Sequence, residues 1–136
     1  MKKQLKCILL VDDDEANNFL HQDVLQDVGI SRNIQVAETA KEALQLLINP
    51  RLKECKNPDI IFLDLNMPGM TGWDFIDQYV QMKDMISTSS LIFILTTSSN
   101  PDDRKKAEGI KEISGFLSKP LTEEMVMGIF NQHFSA

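Results

Sequence analysis

Acidic side chains crowd two places in this chain, and each place follows the abrupt end of an apolar run. Cys7-Ile8-Leu9-Leu10-Val11 gives way to Asp12-Asp13-Asp14-Glu15, and Asp59-Ile60-Ile61-Phe62-Leu63 gives way to Asp64. Carboxylates held together repel one another unless a proton or a cation intervenes. Hard oxygen ligands with open positions suit Mg²⁺ (or Mn²⁺), which keeps waters and takes a few carboxylates plus a phosphate oxygen. The acidic run is not an EF-hand, because it lacks the Gly and the distal Glu of that loop. Asp64 precedes a turn containing Pro68, Gly69 and Gly72, which puts its side chain at a strand tip. A carboxylate there can attack phosphorus and form an acyl phosphate. Taken alone, Asp12 to Glu15 reads equally well as a solvated helix cap, and Asp64 could cap a turn. Their conjunction is what points to chemistry.

Two further apolar runs end on complementary groups. Leu91-Ile92-Phe93-Ile94-Leu95 delivers Thr96 and Thr97, and a weaker run from Gly115 to Leu117 delivers Ser118-Lys119-Pro120. A phosphorylated aspartate carries about two negative charges at neutral pH. A divalent cation can offset part of that charge and Lys119 another part, while the Thr96 hydroxyl donates to a remaining oxygen.

The elements that must position these groups follow from periodicity. The runs from Cys7, Asp59 and Leu91 are apolar on both faces and rich in Ile, as strands of a covered parallel sheet are. Asn33 to Ala37 and Gly115 to Leu117 are two weaker strands. Between them the pattern turns helical. Ala16, Leu20, Val24 and Val28 recur every four residues and stop at Gly29. Thr39 can cap a second helix carrying Ala40, Ala43, Leu44 and Leu47, and Trp73, Ile76, Tyr79 and Val80 mark a third. Pro101, with Asp102 and Asp103, opens a fourth, and Thr122 with Glu123 and Glu124 opens a fifth carrying Met125, Ile129, Phe130 and His133. The order βαβαβαβαβα implies parallel strands, right-handed crossovers and helices on both faces. In such a sheet, ligands bind beyond the carboxyl ends of the strands, where all of these polar groups fall. Asn49 to Pro58 is the longest irregular stretch and reads as a polar surface loop.

Composition narrows the class. At 136 residues, 43% hydrophobic and 25% charged, the chain suits one compact domain. A net charge of −6 argues against nucleic-acid or anionic-membrane partners, which want a basic surface. No apolar run approaches the roughly 18 residues of a membrane span, and the N-terminus lacks a secretory pattern, so a cytoplasmic location is expected. Cys7 and Cys55 lie in unlike contexts, one in an apolar run and one in a charged loop. Both are expected to be reduced thiols with no disulfide between them.

Four segments together carry a family likeness: Val11-Asp12-Asp13, Asp64-Leu65-Asn66-Met67-Pro68-Gly69-Met70-Thr71-Gly72, Leu95-Thr96-Thr97 and Phe116-Leu117-Ser118-Lys119-Pro120. In this order and at strand ends, they resemble the receiver domain of two-component response regulators, of the stand-alone chemotaxis-regulator type, over essentially the whole chain. The resemblance implies a flavodoxin-like (βα)5 fold, a doubly wound parallel five-stranded sheet of order 2-1-3-4-5. It implies a single domain over residues 1–136 without an effector domain, acting as a phosphorelay switch and not as an enzyme. Asp64 would accept a phosphoryl group from a sensor histidine kinase or a histidine phosphotransfer protein. Asp13 and Asp64 would bind Mg²⁺ through carboxylates, Asn66 through its carbonyl and Asp12 through water. Thr96 and Lys119 would hold the phosphoryl oxygens. Phe116 stands at the position of the switch aromatic, and Lys119-Pro120 resembles the family's cis peptide. A downstream protein would dock on the fourth helix, fifth strand and fifth helix. Thr97 stands where the family often has a smaller residue, which narrows access to Asp64, and Phe116 lacks the hydroxyl of the frequent Tyr.

Other readings fit less well. A haloacid-dehalogenase-type phosphatase needs a second Asp two residues after its nucleophile, and Asn66 stands there. A flavodoxin cradles phosphate in a Ser/Thr/Gly-rich loop, and Asp12 to Glu15 would repel it. A degenerate receiver would lack one of the groups that Asp12, Asp13, Asp64, Thr96 and Lys119 supply. His21 and His133 read as ordinary surface or half-buried histidines. Met67, Met70, Met82, Met85, Met125 and Met127 read as core filling and surface plasticity.

Overall fold

A computed structural model describes residues 4–51, 53–86 and 90–134. Strands β1 (Ile8–Val11), β2 (Ile34–Ala37), β3 (Ile60–Leu63), β4 (Leu91–Thr96) and β5 (Ile113–Ser118) alternate with helices α1 (Glu15–Val28), α2 (Ala40–Ile48), α3 (Gly72–Ile86), α4 (Pro101–Glu108) and α5 (Glu123–His133). All strand pairs are parallel, in the order β2-β1-β3-β4-β5. This is the flavodoxin-like arrangement expected from the sequence.

Period-two alternation explains why both faces are dry. Leu9, Val11, Ile61, Leu63 and Ile92 face α2 and α3, packing with Ala43, Leu47, Phe75, Ile76 and Tyr79. Ile8, Leu10, Ile60, Phe62, Phe93 and Leu95 face α1 and α5, packing with Leu25, Val126, Ile129 and Phe130. The helices begin on side-chain caps: Asp14 for α1, Thr39 for α2, Asn100 with Pro101 for α4 and Thr122 for α5. Gly29 ends α1 at φ 74°, a left-handed conformation that glycine adopts without cost. Among the described residues, no helix is long and apolar enough to cross a membrane.

Four expectations need correction. First, β5 runs from Ile113 to Ser118, longer than the Gly115–Leu117 core. It is an edge strand with no fully buried residue, so the apolar signal fades. Second, the buried face of α1 is Asn18, His21 and Leu25, whereas Leu20 is 53% exposed and Phe19 73%. Polar residues take the inner face, so the Ala16-Leu20 spacing misplaces the stripe. Third, Asn49 to Pro58 is more than a surface loop: it holds a 3-10 turn at Lys53–Cys55, and Cys55 and Pro58 are buried. Fourth, Cys7 and Cys55 form a disulfide with Cα atoms 5.1 Å apart. Parallel pairing of β1 with β3 explains the meeting, because Ile8 lies opposite Ile60 and Asp59 N–H donates to the Cys7 carbonyl at 2.9 Å. Residues 48 apart thus reach the same end of the sheet. Of the methionines read as core filling, Met67 is buried and Met70 and Met82 pack against the core. The Met85 side chain lies outside the described residues.

Candidate functional site

Each strand tip hands its polar residue to the next through backbone bonds. Asp12 N–H donates to the Ala37 carbonyl at 3.0 Å, Asp64 N–H to Val11 at 2.9 Å, and Lys119 N–H to Thr96 at 2.9 Å. These bonds continue the sheet's pairing one residue past β1, β3 and β5. Asp12, Asp64 and Lys119 therefore stand side by side beyond the carboxyl edge.

The turns after the strands are locally determined. Asp12 Oδ1 accepts the Asp14 N–H at 2.9 Å, and Asp14 Oδ1 in turn caps α1 at Ala16 and Asn17. Asp64 Oδ1 accepts the Asn66 N–H at 3.4 Å, and Gly72 N–H closes the loop onto the Leu65 carbonyl at 3.1 Å. At Gly72 a Cβ atom would sit 2.5 Å from the Asp64 carbonyl, so only glycine lets α3 start this close to the strand tip. Thr96 is wholly buried, and its Oγ1 accepts the Ser98 N–H at 3.2 Å. The hydroxyl's own proton is thereby left to donate elsewhere.

Charge is unevenly resolved. Carboxylate oxygens of Asp12, Asp13 and Asp64 lie within 4.8 Å of one another. Lys119 Nζ contacts Asp12 Oδ2 at 2.6 Å and Asp64 Oδ2 at 3.5 Å, with only 8% of its side chain exposed. Burial pushes the Asp64 carboxyl above its ordinary range; the Asp12 charge adds to this and Lys119 opposes it. Asp13 remains exposed at the rim, and so does Asn66. A set of three carboxylates around one point, two of them buried, fits a hard divalent cation such as Mg²⁺.

Asp12, Asp13 and Asp64 converge here with Lys119, while Thr96 and Asn66 adjoin them through the strand tips and Phe116 stands apart. Thr97 is exposed at the end of β4, next to buried Thr96. Pro120 follows Lys119 through a cis peptide bond. Phe116 lies farther along β5 against the Leu65, Ile94 and Ala107 cluster, with the Arg104 guanidinium 5.0 Å from its ring centroid. Trp73 packs against the same cluster beneath Lys106, 4.6 Å away. His133 is exposed and sets its ring edge-on to Phe93.

Asn18, which the sequence reading passes over, and His21, which it takes for a surface or half-buried histidine, are both buried near the site. Asn18 and His21 are 5% and 2% exposed, and each bonds a strand-tip turn: Asn18 Nδ2 donates to the Asp12 carbonyl at 2.9 Å, and His21 Nε2 accepts the Leu121 N–H at 3.4 Å. Their i, i+3 spacing, which places both on one helix face, is the signal that was available.

Comparison with known proteins agrees with this geometry. The family model described as the response regulator receiver domain matches residues 8–131. The two-component response regulator ARR22 of Arabidopsis thaliana is 28% identical over 136 residues, covering 100% of this chain and 89% of that protein. A two-component response regulator from Cytophaga hutchinsonii superimposes with a TM-score of 0.83 at 30% identity, over 96% of this chain and 97% of that one. The Vibrio cholerae chemotaxis protein CheY4 superimposes with a TM-score of 0.72 at 26% identity, over 97% and 98%. The chain belongs to the response regulator receiver family.

Proposed function

We propose that this receiver accepts a phosphoryl group on Asp64 and uses the resulting change of shape to control a partner. The observation that carries the reading is Asp64 itself: a buried carboxylate at the β3 tip, with an ammonium 3.5 Å away and two more carboxylates within 4.8 Å. An Asp64 carboxylate oxygen attacks phosphorus, the bond between phosphorus and the donor breaks, and the donor leaves with that electron pair. Mg²⁺, when bound, supplies positive charge for the phosphoryl oxygens. Asp13 and Asp64 would hold it through carboxylates, Asn66 through its carbonyl and Asp12 through water. Lys119 then exchanges part of its contact with Asp12 for a phosphoryl oxygen, and the free Thr96 hydroxyl proton donates to another. Whichever conformation binds the phosphoryl group better gains population.

The donor in this reading is a sensor histidine kinase or a histidine phosphotransfer protein. The responding surface is α4, β5 and α5, where Phe116 moves relative to Arg104. In this reading the domain works in the cytoplasm through protein partners, not nucleic acid or membrane, with no turnover beyond slow loss of its own phosphoryl group. Asn66, two residues beyond Asp64, tells against the phosphatase alternative, which needs an acid there.

The test is intact mass after incubation with Mg²⁺ and a small acyl phosphate. The native chain should gain one phosphoryl mass and Asp64→Asn none, a loss of more than about 100-fold in initial rate. Equal uptake by Asp64→Asn, or rapid hydrolysis of unrelated phosphoesters, would sink the proposal.

A further inference from the structure

Helix α1 turns two polar side chains inward where packing alone would favour apolar ones. Asn18 Nδ2 has its partner in the Asp12 carbonyl, but the buried Oδ1 has none among the described residues. A buried amide oxygen left unmet is destabilising, a cost that a leucine at this position would avoid. One turn along, His21 reaches across 100 positions of sequence to the Leu121 amide, two residues past Lys119. Burial, reinforced by the Lys119 charge, lowers the imidazole's proton affinity, in keeping with Nε2 acting as an acceptor.

Between these side chains and the strand tips lies a cavity of about 10 Å³, lined by Asp12, Asn18, His21 and Asp64 together with apolar residues. That is about the smallest space that admits a single water molecule. A water offers two hydrogens, and two of the lining residues carry groups that could take them: Asn18, whose buried Oδ1 has no partner among the described residues, and Asp64. We infer that Asn18 and His21 are positioning residues for phosphoryl transfer at Asp64. Asn18 fixes Asp12 directly and Asp64 through one internal water, while His21 fixes the turn that carries Lys119. The inference rests on Asp64 being the acceptor, and neither residue touches the phosphoryl group. Because misplacing a reacting or charge-stabilising group by about 1 Å can cost 10²-fold, support from beneath matters to rate.

Three measurements on His21→Leu, His21→Gln and Asn18→Leu decide it. They are the phosphorylation rate at saturating Mg²⁺, the Mg²⁺ dissociation constant from Trp73 fluorescence without phosphodonor, and the nitrogen resonance of the Lys119 ammonium. His21→Leu should slow phosphorylation about tenfold and shift the Lys119 resonance, while leaving Mg²⁺ affinity within about twofold. His21→Gln, whose Oε1 can accept the Leu121 N–H, should restore most of the rate. Asn18→Leu should weaken Mg²⁺ binding about three- to tenfold through Asp12. Where a leucine variant does not fold, His21→Ala and Asn18→Ala carry the same expectations. Folded variants with native rate, affinity and Lys119 resonance overturn the inference. So does an undivided loss, with both positions lowering rate and affinity alike and glutamine rescuing nothing. If the native chain takes up no phosphoryl group, the acceptor reading fails on its own, and the Mg²⁺ affinities and Lys119 resonance still judge the positioning.

Discussion

The two ends of the sheet are built on opposite terms. At the amino end, the Cys7–Cys55 disulfide joins the entry to β1 to the turn before β3. Beside it, the Asp59 carboxylate accepts the Lys6 N–H at 2.6 Å and the Cys7 N–H at 3.5 Å. The charge there is met by backbone donors, and the chain is tied covalently. At the carboxyl end, Asp12 and Asp64 share one ammonium with Asp13 close by, and burial raises the Asp64 pKa. Interactions at one end serve stability; the other leaves charge unresolved, which in the proposed function an incoming cation or phosphoryl group resolves. Separating the two lets the same short strands serve both purposes, because β1 and β3 run from the tied end to the poised one.

The comparison is sharpest where it can be broken. Removing the tie should have the largest effect on stability. In the chain-entropy picture, a bridge spanning 48 residues is worth about 4 kcal/mol, so Cys55→Ser, or reduction by a dithiol, should cost about 2–5 kcal/mol in urea unfolding. Phosphoryl uptake by the folded fraction should stay within about twofold, since the bridge lies at the far end of the strands. A large loss of uptake would show that the ends are coupled.

Removing the poised charge should act in the other direction, and by less. The Asp64 pKa is raised in the fold, so its contribution to stability is full below the unfolded value and is lost as pH rises through the folded value. At pH 7.5 without Mg²⁺, Asp64→Asn should therefore be more stable than the native chain, on the order of 1 kcal/mol. The gain should vanish below pH 3.8, and a variant that is less stable at pH 7.5 contradicts this account.

A third effect, of similar size, concerns His21. Its pKa is lowered by burial first and Lys119 second, so the fold holds it neutral. The unfolded chain begins to bind a proton near pH 6.5, and stability falls from there as pH drops toward the folded value. Relative to His21→Gln, the native chain should lose up to about 1.4 kcal/mol per pH unit in that window, measured by urea titration at pH 7.5 and 5.5. Parallel profiles for the two proteins would show that the histidine is not held neutral.

How much of this was legible in the sequence follows from distance along the chain. Asp12, Asp64, Thr96 and Lys119 each follow an apolar run, so topology alone brings them to one edge, and their types suggest the chemistry proposed for them. The central strands read clearly because both of their faces are buried. The edge strand β5 reads short because solvent admits polar residues along it. Asn18 and His21 stayed hidden because a polar residue on a helix looks exposed until its partner is known. For His21 that partner is 100 residues away. The cysteine pair failed for the same reason: nothing local to Cys7 or Cys55 reports that parallel pairing of β1 with β3 brings them together.

The Cys7–Cys55 bridge also changes what the chain is as a topological object. With it closed, β1, α1, β2 and α2 form a covalent ring, and the rest of the molecule hangs from that ring as a tail. A single cut in the backbone between residues 8 and 54 then opens the ring without releasing a fragment. The acidic turn that bears Asp12 and Asp13 lies inside it, while Asp64, Thr96 and Lys119 lie on the tail. The two halves of the site therefore remain leashed to each other after a nick that would part them in an unbridged chain.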